Sequence, residues 1–262
     1  MAMVIPREKM DDFVLHLAKT RRTVGVKSKD GRRPDRFSFT EVDSWTDPGT
    51  GYVPTLLPPK KYLLPQRETL LTFDLGEAGG KPSFESKVDI IPTVLLGARP
   101  CDVKAIALLD RIHADGVADP YYMERRGALA IVAVDCMCPC DDSSFCGSVD
   151  AEHAESGWDL MLTELSGVWA VDVATDLGKS LLAGFDGLRE AAAAEAQELA
   201  ALRESKKKAF KDELGMSCEE LATLYEESYD STVWDEEAKR CLACGTCLSL
   251  IHISEPTRLR RI

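Results

Sequence analysis

A chain of 262 residues with 45% apolar and 29% charged residues is long enough to bury one substantial core and a second, smaller unit. Its net charge of -12 argues against the phosphate attraction on which nucleic-acid binders depend, so neither DNA nor RNA is expected as a partner. The first ten residues already carry Arg7, Glu8 and Lys9, and no later apolar stretch reaches spanning length; no export signal or membrane span is expected, and the protein is placed in the cytoplasm.

Met10, Phe13, Val14 and Leu17 recur at helical spacing after Pro6 and predict a helix over residues 7–20. Thr23–Lys27 and Phe37–Val42 alternate apolar with polar residues and predict strands. The run Pro54-Thr-Leu-Leu-Pro-Pro-Lys-Lys61 is expected to be extended, because proline fixes its own backbone and biases its predecessor.

Within Ile91–Val134 the apolar run Thr93-Val-Leu-Leu96 ends at Gly97. Val103, Ile106, Ala107 and Leu109 follow at helical spacing, and Leu129-Ala-Ile-Val-Ala-Val134 is a second apolar run. This predicts a βαβ unit with two parallel strands and a right-handed crossover. Cys101 and Cys136 would then stand just past the C-terminal ends of those strands, on the rim where open α/β sheets bind ligands.

From about Asp186 the composition shifts to Ala, Glu, Leu and Lys. Leu188, Ala192, Ala196, Leu199 and Leu202 form a stripe that predicts a long helical arm outside the core. Ser217 and Glu220 have capping-box spacing ahead of Leu221, Leu224 and Tyr225. Trp234 and Ala238 lie one turn apart in a last short helix that delivers Cys241. The expected organisation is an α/β domain with a cysteine loop over residues 1–185, a helical connector over 186–240, the start of a ferredoxin-like domain at 241–247, and a tail over 248–262.

Nine cysteines in a chain without an export signal suit metal or redox chemistry better than a disulfide framework. Cys241-Leu-Ala-Cys244-Gly-Thr-Cys247 is C-x2-C-G-x-C, the three-thiolate opening of a bacterial ferredoxin-type 4Fe-4S site. A short turn wraps the thiolates around one face of a cluster, and Gly245 lets the backbone approach the sulfides. Two of the same cysteines also satisfy half a zinc knuckle, but a third so soon afterwards favours iron and sulfide.

The loop Cys136-Met-Cys-Pro-Cys-Asp-Asp-Ser-Ser-Phe-Cys146 offers four thiols, which Cys101 can join across the rim. Cys101 falls in the first turn of its predicted helix, where free N–H groups and the dipole are expected to stabilise a thiolate. Cys101, Cys136, Cys140 and Cys146 are the preferred ligands of a further iron–sulfur site, with Cys138 the spare. Inert buried thiols or a zinc site are the alternatives. Cys218, on a helix face, fits a core position better than a ligand. Arg99-Pro-Cys-Asp102 and Asp119-Pro-Tyr-Tyr122 suggest solvated or capping groups before substrate contacts, and no catalytic residue is assigned.

A ferredoxin of the two-cluster type continues with a fourth cysteine followed by proline. After Cys247 this chain runs Leu248-Ser-Leu-Ile-His-Ile-Ser-Glu-Pro-Thr-Arg-Leu-Arg-Arg-Ile262, which resembles translated sequencing-adapter read-through. Residues from about 248 are therefore expected to be foreign and the ferredoxin-like domain to be truncated.

Several stretches together resemble the beta subunits of cytoplasmic sulfhydrogenases and the corresponding iron–sulfur subunits of anaerobic sulfite reductase. They are Leu57-Pro-Pro-Lys-Lys-Tyr-Leu-Leu-Pro-Gln-Arg-Glu68, Gly97-Ala-Arg-Pro-Cys-Asp-Val-Lys-Ala-Ile106, Asp119-Pro-Tyr-Tyr122, the cysteine loop, Gly157-Trp-Asp-Leu160, and Trp234 through Cys247. The resemblance implies an α/β domain followed by a two-cluster ferredoxin domain. It also implies electron relay between a FAD- and NAD(P)-binding reductase subunit and a catalytic subunit that reduces protons, polysulfide or sulfite. The extra thiol of Cys-Met-Cys-Pro-Cys and the missing second cluster motif depart from that pattern. Two other readings stand beside it: a zinc-stabilised scaffold that docks partners through the long helix, and a thiol oxidoreductase using Cys136 and Cys140.

Overall fold

A computed structural model describes residues 2–30, 33–45, 55, 58–76, 81–142, 144–211 and 214–243. They fall in two compact units, Met1–Lys211 and Asp212–Ile262. The first therefore extends past residue 185, where the composition alone placed the start of a connector.

The first unit is an α/β body on a mixed sheet of eight strands. In chain order these are β1 (Met3–Pro6), β2 (Arg22–Asp30), β3 (Arg33–Glu41), β6 (Thr93–Ala98), β7 (Leu129–Val134), β8 (Leu160–Glu164), β9 (Val168–Val173) and β10 (Arg189–Glu190). Between β3 and β6 in the chain, β4 (Leu71–Asp74) pairs with β5 (Ser83–Ser86) as a separate hairpin. The order across the main sheet is β10-β1-β9-β8-β7-β6-β2-β3. β2, β6, β7 and β8 run parallel, and the outer pairings are antiparallel.

The expected βαβ unit is present, with two helices in its crossover: α2 (Pro100–Ala114) and α3 (Pro120–Ala128). β6 and β7 are buried along their whole length, as central parallel strands covered on both faces must be. Their side chains alternate between two layers. Val94, Leu96, Ala130 and Val132 pack with Phe13, Val14 and Leu17 of α1 (Met10–Ala18) and Leu181 of α4 (Asp176–Leu182). Leu95, Ile131 and Ala133 pack with Val103, Ile106 and Leu109 of α2 and Tyr122 of α3. The predicted first helix thus exists, with Arg7–Lys9 forming a 3-10 turn ahead of it.

Three expectations fail. Pro59–Tyr62 winds into a 3-10 turn rather than staying extended, since Pro59 can occupy a first helical position; Pro54, Leu56 and Leu57 lie outside the described residues. The helix expected from residue 186 begins later, as α5 (Ala193–Ala209), because Arg189–Glu190 is used as edge strand β10. Nor is α5 a free arm. Leu199 is buried against Val4, Leu165, Val168 and Ala170, and Leu202 packs beside it.

Polar ties lock the connections. Asp119 caps α3 by accepting from the Tyr121 and Tyr122 N–H groups at 2.9 and 3.3 Å, which accounts for Asp119-Pro-Tyr-Tyr as a helix start. The buried Asp159 carboxylate accepts from Ile131 N at 2.7 Å and from Thr175 Oγ1 at 2.5 Å, while Thr175 caps α4. One side chain thus joins β7 to the start of α4. The nearly buried Arg125 donates from Nε to Leu63 O at 2.7 Å and from Nη1 to Glu68 at 2.5 Å, holding the segment after the 3-10 turn against α3.

In the second unit, α6 (Cys218–Glu227) starts at the expected capping box. Ser217 Oγ accepts from Glu220 N at 3.2 Å, and Glu220 accepts from Ser217 N at 2.7 Å. Tyr225 stacks on Trp234 of α7 (Val233–Arg240), and Cys241 caps that helix.

Removing Arg125 leaves Glu68 and the Leu63 carbonyl without their partner, and Arg125→Ala is expected to destabilise the body by about 2–3 kcal/mol, short of the cost at a fully buried pair because Glu68 keeps some solvent. Urea denaturation followed by circular dichroism measures this; a loss under about 0.5 kcal/mol, the level of ordinary surface changes, contradicts the strut.

Candidate metal centre

β6 and β7 end side by side because they are parallel and in register from Thr93↔Leu129 to Leu96↔Val132. The register then slips between Leu96 and Ala98, where Gly97 takes φ +87, a conformation natural to glycine. The strand turns there into Arg99, which caps α2 with extended backbone angles, and Pro100 opens the helix. Arg99 N donates to Asp102 Oδ2 at 3.2 Å. Asp102 is therefore a capping carboxylate.

Cys101 follows in the first turn of α2, and Cys136 follows the last β7 residue by two positions. The long loop after β7 is tied at three places. At its start, Asp135 N donates to Leu162 O at 2.8 Å and Asp135 Oδ1 accepts from the nearly buried Lys206 of α5 at 2.5 Å. At its far end, Cys146–Val149 makes a 3-10 turn, and Lys104 Nζ donates to Val149 O at 3.0 Å and Asp150 O at 2.8 Å. Lys104 lies three residues beyond Cys101, so one helix both presents a thiol and grips the loop that carries the others. In between, Gly147 packs against the chain leaving α5, where a Cβ would meet Lys211 O at 2.5 Å.

Arg99, only 7% exposed, borders the start of the loop. Its Nη1 donates to Cys140 Sγ at 3.1 Å and Cys136 Sγ at 3.5 Å. One Arg99 nitrogen thus reaches both Cys136 and Cys140, at the strand end from which α2 starts with Cys101 in its first turn, while Cys146 opens the 3-10 turn at the far end of the loop. Cys138 is exposed and acts electrostatically on Cys140. Cys101, Cys136, Cys138, Cys140, Cys146 and Cys241 are free thiols.

Cys101 is open to solvent on one side, but desolvation by the protein on the other, with the charges of Asp102 and the neighbouring thiols, pushes its pKa up to about 12. This overturns the expectation that the helix start stabilises a Cys101 thiolate. The position is as predicted, but desolvation, then the Asp102 charge and the neighbouring thiols, raise the pKa. Burial likewise pushes Cys136 up to about 11, against the pull of Arg99. Cys140 is raised by desolvation, with Arg99 again opposing.

In kind, the donor set suits an iron–sulfur cluster: soft sulfur ligands converge from two segments, with a hydrogen-bond donor already aimed at two of them. Among the described residues, no group of three or more His, Cys, Asp or Glu is placed so that it could hold a metal ion. In the second unit, Ala243 takes φ +51 and its N–H donates to Cys241 Sγ at 3.4 Å, a turn folded around the sulfur. Cys244 and Cys247 lie outside the described residues, and of Cys218 only its place at the start of α6 is described.

Lys104 and Lys206 escaped the reading of the sequence. Helical spacing from Cys101 could have found Lys104, whereas Lys206 begins a run of three lysines with nothing to mark which turns inward.

No protein-family model matches the chain. Over 223 residues it is 31% identical to the sulfhydrogenase 2 subunit beta of Pyrococcus furiosus, a match covering 82% of this chain and 62% of that subunit. The chain thus spans about three-fifths of the length of the curated relative it matches. Among the described residues no helix is long and apolar enough to cross a membrane.

A raised thiol pKa keeps the proton on at neutral pH, and only the thiolate is alkylated. In the metal-free chain, iodoacetamide labelling of Cys101 is expected to be slow at neutral pH and to keep climbing toward pH about 12. Peptide mapping by mass spectrometry reads the rate, and a plateau near the ordinary thiol value of about 8.5 contradicts the desolvation.

Proposed function

The chain belongs to the family of that sulfhydrogenase beta subunit, and from this premise we propose that it is an iron–sulfur electron-transfer subunit of an oxidoreductase complex. It relays electrons between a flavin- and NAD(P)-binding subunit and a catalytic subunit that reduces protons, sulfur or sulfite. What supports this reading is the likeness to that beta subunit together with the approach of one Arg99 nitrogen to both Cys136 Sγ and Cys140 Sγ beyond the ends of β6 and β7.

Cys101, Cys136, Cys140 and Cys146 would hold one 4Fe-4S cluster, and Cys241, Cys244 and Cys247 would supply three ligands of another. Such a group, when bound, stores and releases single electrons. The chain's own residues do the rest. Lys206 and Lys104 fasten the two ends of the loop, so its sulfurs keep their places without depending on what they hold. Arg99 offers its N–H to two of the sulfurs. At Cys241 the Ala243 N–H does the same from the backbone. The rim is solvent-accessible at Cys101 and Cys138, where a partner can approach closely enough for electron exchange. Because Cys101 and Cys136 hold their protons tightly, loading releases protons and is favoured as pH rises.

Anaerobic reconstitution with ferrous iron and sulfide tests the reading. The expected product is brown, contains iron and acid-labile sulfide, and loses visible absorbance on reduction by dithionite. Replacing Cys241, Cys244 and Cys247 together by Ser removes part of the iron and leaves the rim's share. A colourless product that takes up zinc and no sulfide sinks the relay and favours a zinc-stabilised scaffold.

A further inference from the structure

We propose that Arg99 is the positioning residue of the rim site, its guanidinium holding the Cys136 and Cys140 sulfurs together and making a cluster held there easier to reduce. The inference rests on the reading of the rim as an iron–sulfur site and deepens it. Arg99 is 7% exposed, and its Nη1 stands 3.1 Å from Cys140 Sγ and 3.5 Å from Cys136 Sγ. A guanidinium stays charged at any working pH, so Arg99 sets a fixed positive charge against both sulfurs.

The backbone leaves this side chain little choice of direction. Arg99 is the cap of α2, fixed between the Gly97 bulge and Pro100, with its N–H bonded to Asp102. Asp102 is a second negative group near the guanidinium, but its carboxylate is engaged by the Arg99 backbone at the helix start. The sulfurs sit on strands of chain that Lys206 and Lys104 fasten independently of Arg99. Arg99 therefore adds charge and two directed contacts to a loop already anchored elsewhere. Reduction adds one electron to the cluster and changes no protein bond. A fixed positive charge touching two ligand sulfurs stabilises the more negative, reduced form more than the oxidised one.

The test uses the full chain with Cys241, Cys244 and Cys247 replaced by Ser, which leaves the rim as the site under study, reconstituted anaerobically with ferrous iron and sulfide. Iron, sulfide and the midpoint potential are measured in this parent, in Arg99→Gln and in Arg99→Lys. Removing the charge is expected to disfavour reduction at least tenfold, a lowering of about 59 mV for a one-electron couple, with Arg99→Lys falling between the two. An Arg99→Gln form that keeps its iron and sulfide at the parent's potential overturns the role of Arg99 and leaves the relay standing. Where Arg99→Gln does not load, recovery of iron and sulfide in Arg99→Lys supports positioning by charge, and failure of both overturns it. A parent that takes up no iron or sulfide refutes the rim site itself, a result separate from either.

Discussion

Parallel pairing of β6 with β7 is the constraint from which the rim follows. The register Leu95↔Ile131 places two strand ends together although the cysteines beyond them are 35 residues apart, as the numbers of Cys101 and Cys136 show. The pairing is not free to slide. A slip of β6 by one residue would turn Val94 and Leu96 away from α1 and α4 and send Leu95 away from α2 and α3, and a slip of β7 would do the same to Ala130, Val132 and Ile131. The hydrophobic alternation that holds the body therefore also sets where the sulfurs emerge. Core and site share one specification.

Two opposing influences act on the sulfurs once they are there. Desolvation and mutual repulsion favour the protonated thiols of Cys101 and Cys136, while Arg99 favours the thiolate of Cys136 and Cys140. Here the loop is held by ties that do not involve sulfur: Lys206 to Asp135, and Lys104 to the carbonyls of Val149 and Asp150. The layers above and below the sheet are apolar and closed, so the free energy that stabilises the body comes from elsewhere and the rim can carry unfavourable electrostatics.

The sequence displays what depends on local pattern or on strand direction. Met10, Phe13, Val14 and Leu17 mark α1, Ser217 and Glu220 mark the start of α6, and two apolar runs around a helical pattern mark the parallel pair. From that pair alone the meeting of Cys101 with the Cys136–Cys146 loop could be expected. What stayed hidden depends on partners distant in the chain. The apolar stripe of α5 looked like an arm because nothing in its own residues announces Val4 and Ala170 as the surface that covers Leu199. β10 is two residues long and carries no alternation at all. Asp159 became legible only through Ile131 and Thr175, and the high pKa of Cys101 only through the groups that crowd it.

The two cysteine sets differ in what holds them, and this bears on how such a chain would acquire and keep its groups. At Cys241 the organising contact is local: the Ala243 N–H reaches back two residues to the sulfur across a left-handed alanine. A turn of that kind can form on whatever peptide carries it, and binding can complete it. The rim set has no such independence. Cys101 and Cys136 are neighbours only after β6 and β7 have paired and α2 has packed, so folding of the body precedes assembly of the site. On the proposed reading, ligands brought together by long-range topology would stand beside the fixed charge of Arg99, whereas ligands on a short turn would leave their geometry to the bound group. The first arrangement would let the protein set the electrostatics; the second would leave more of the geometry to a cluster.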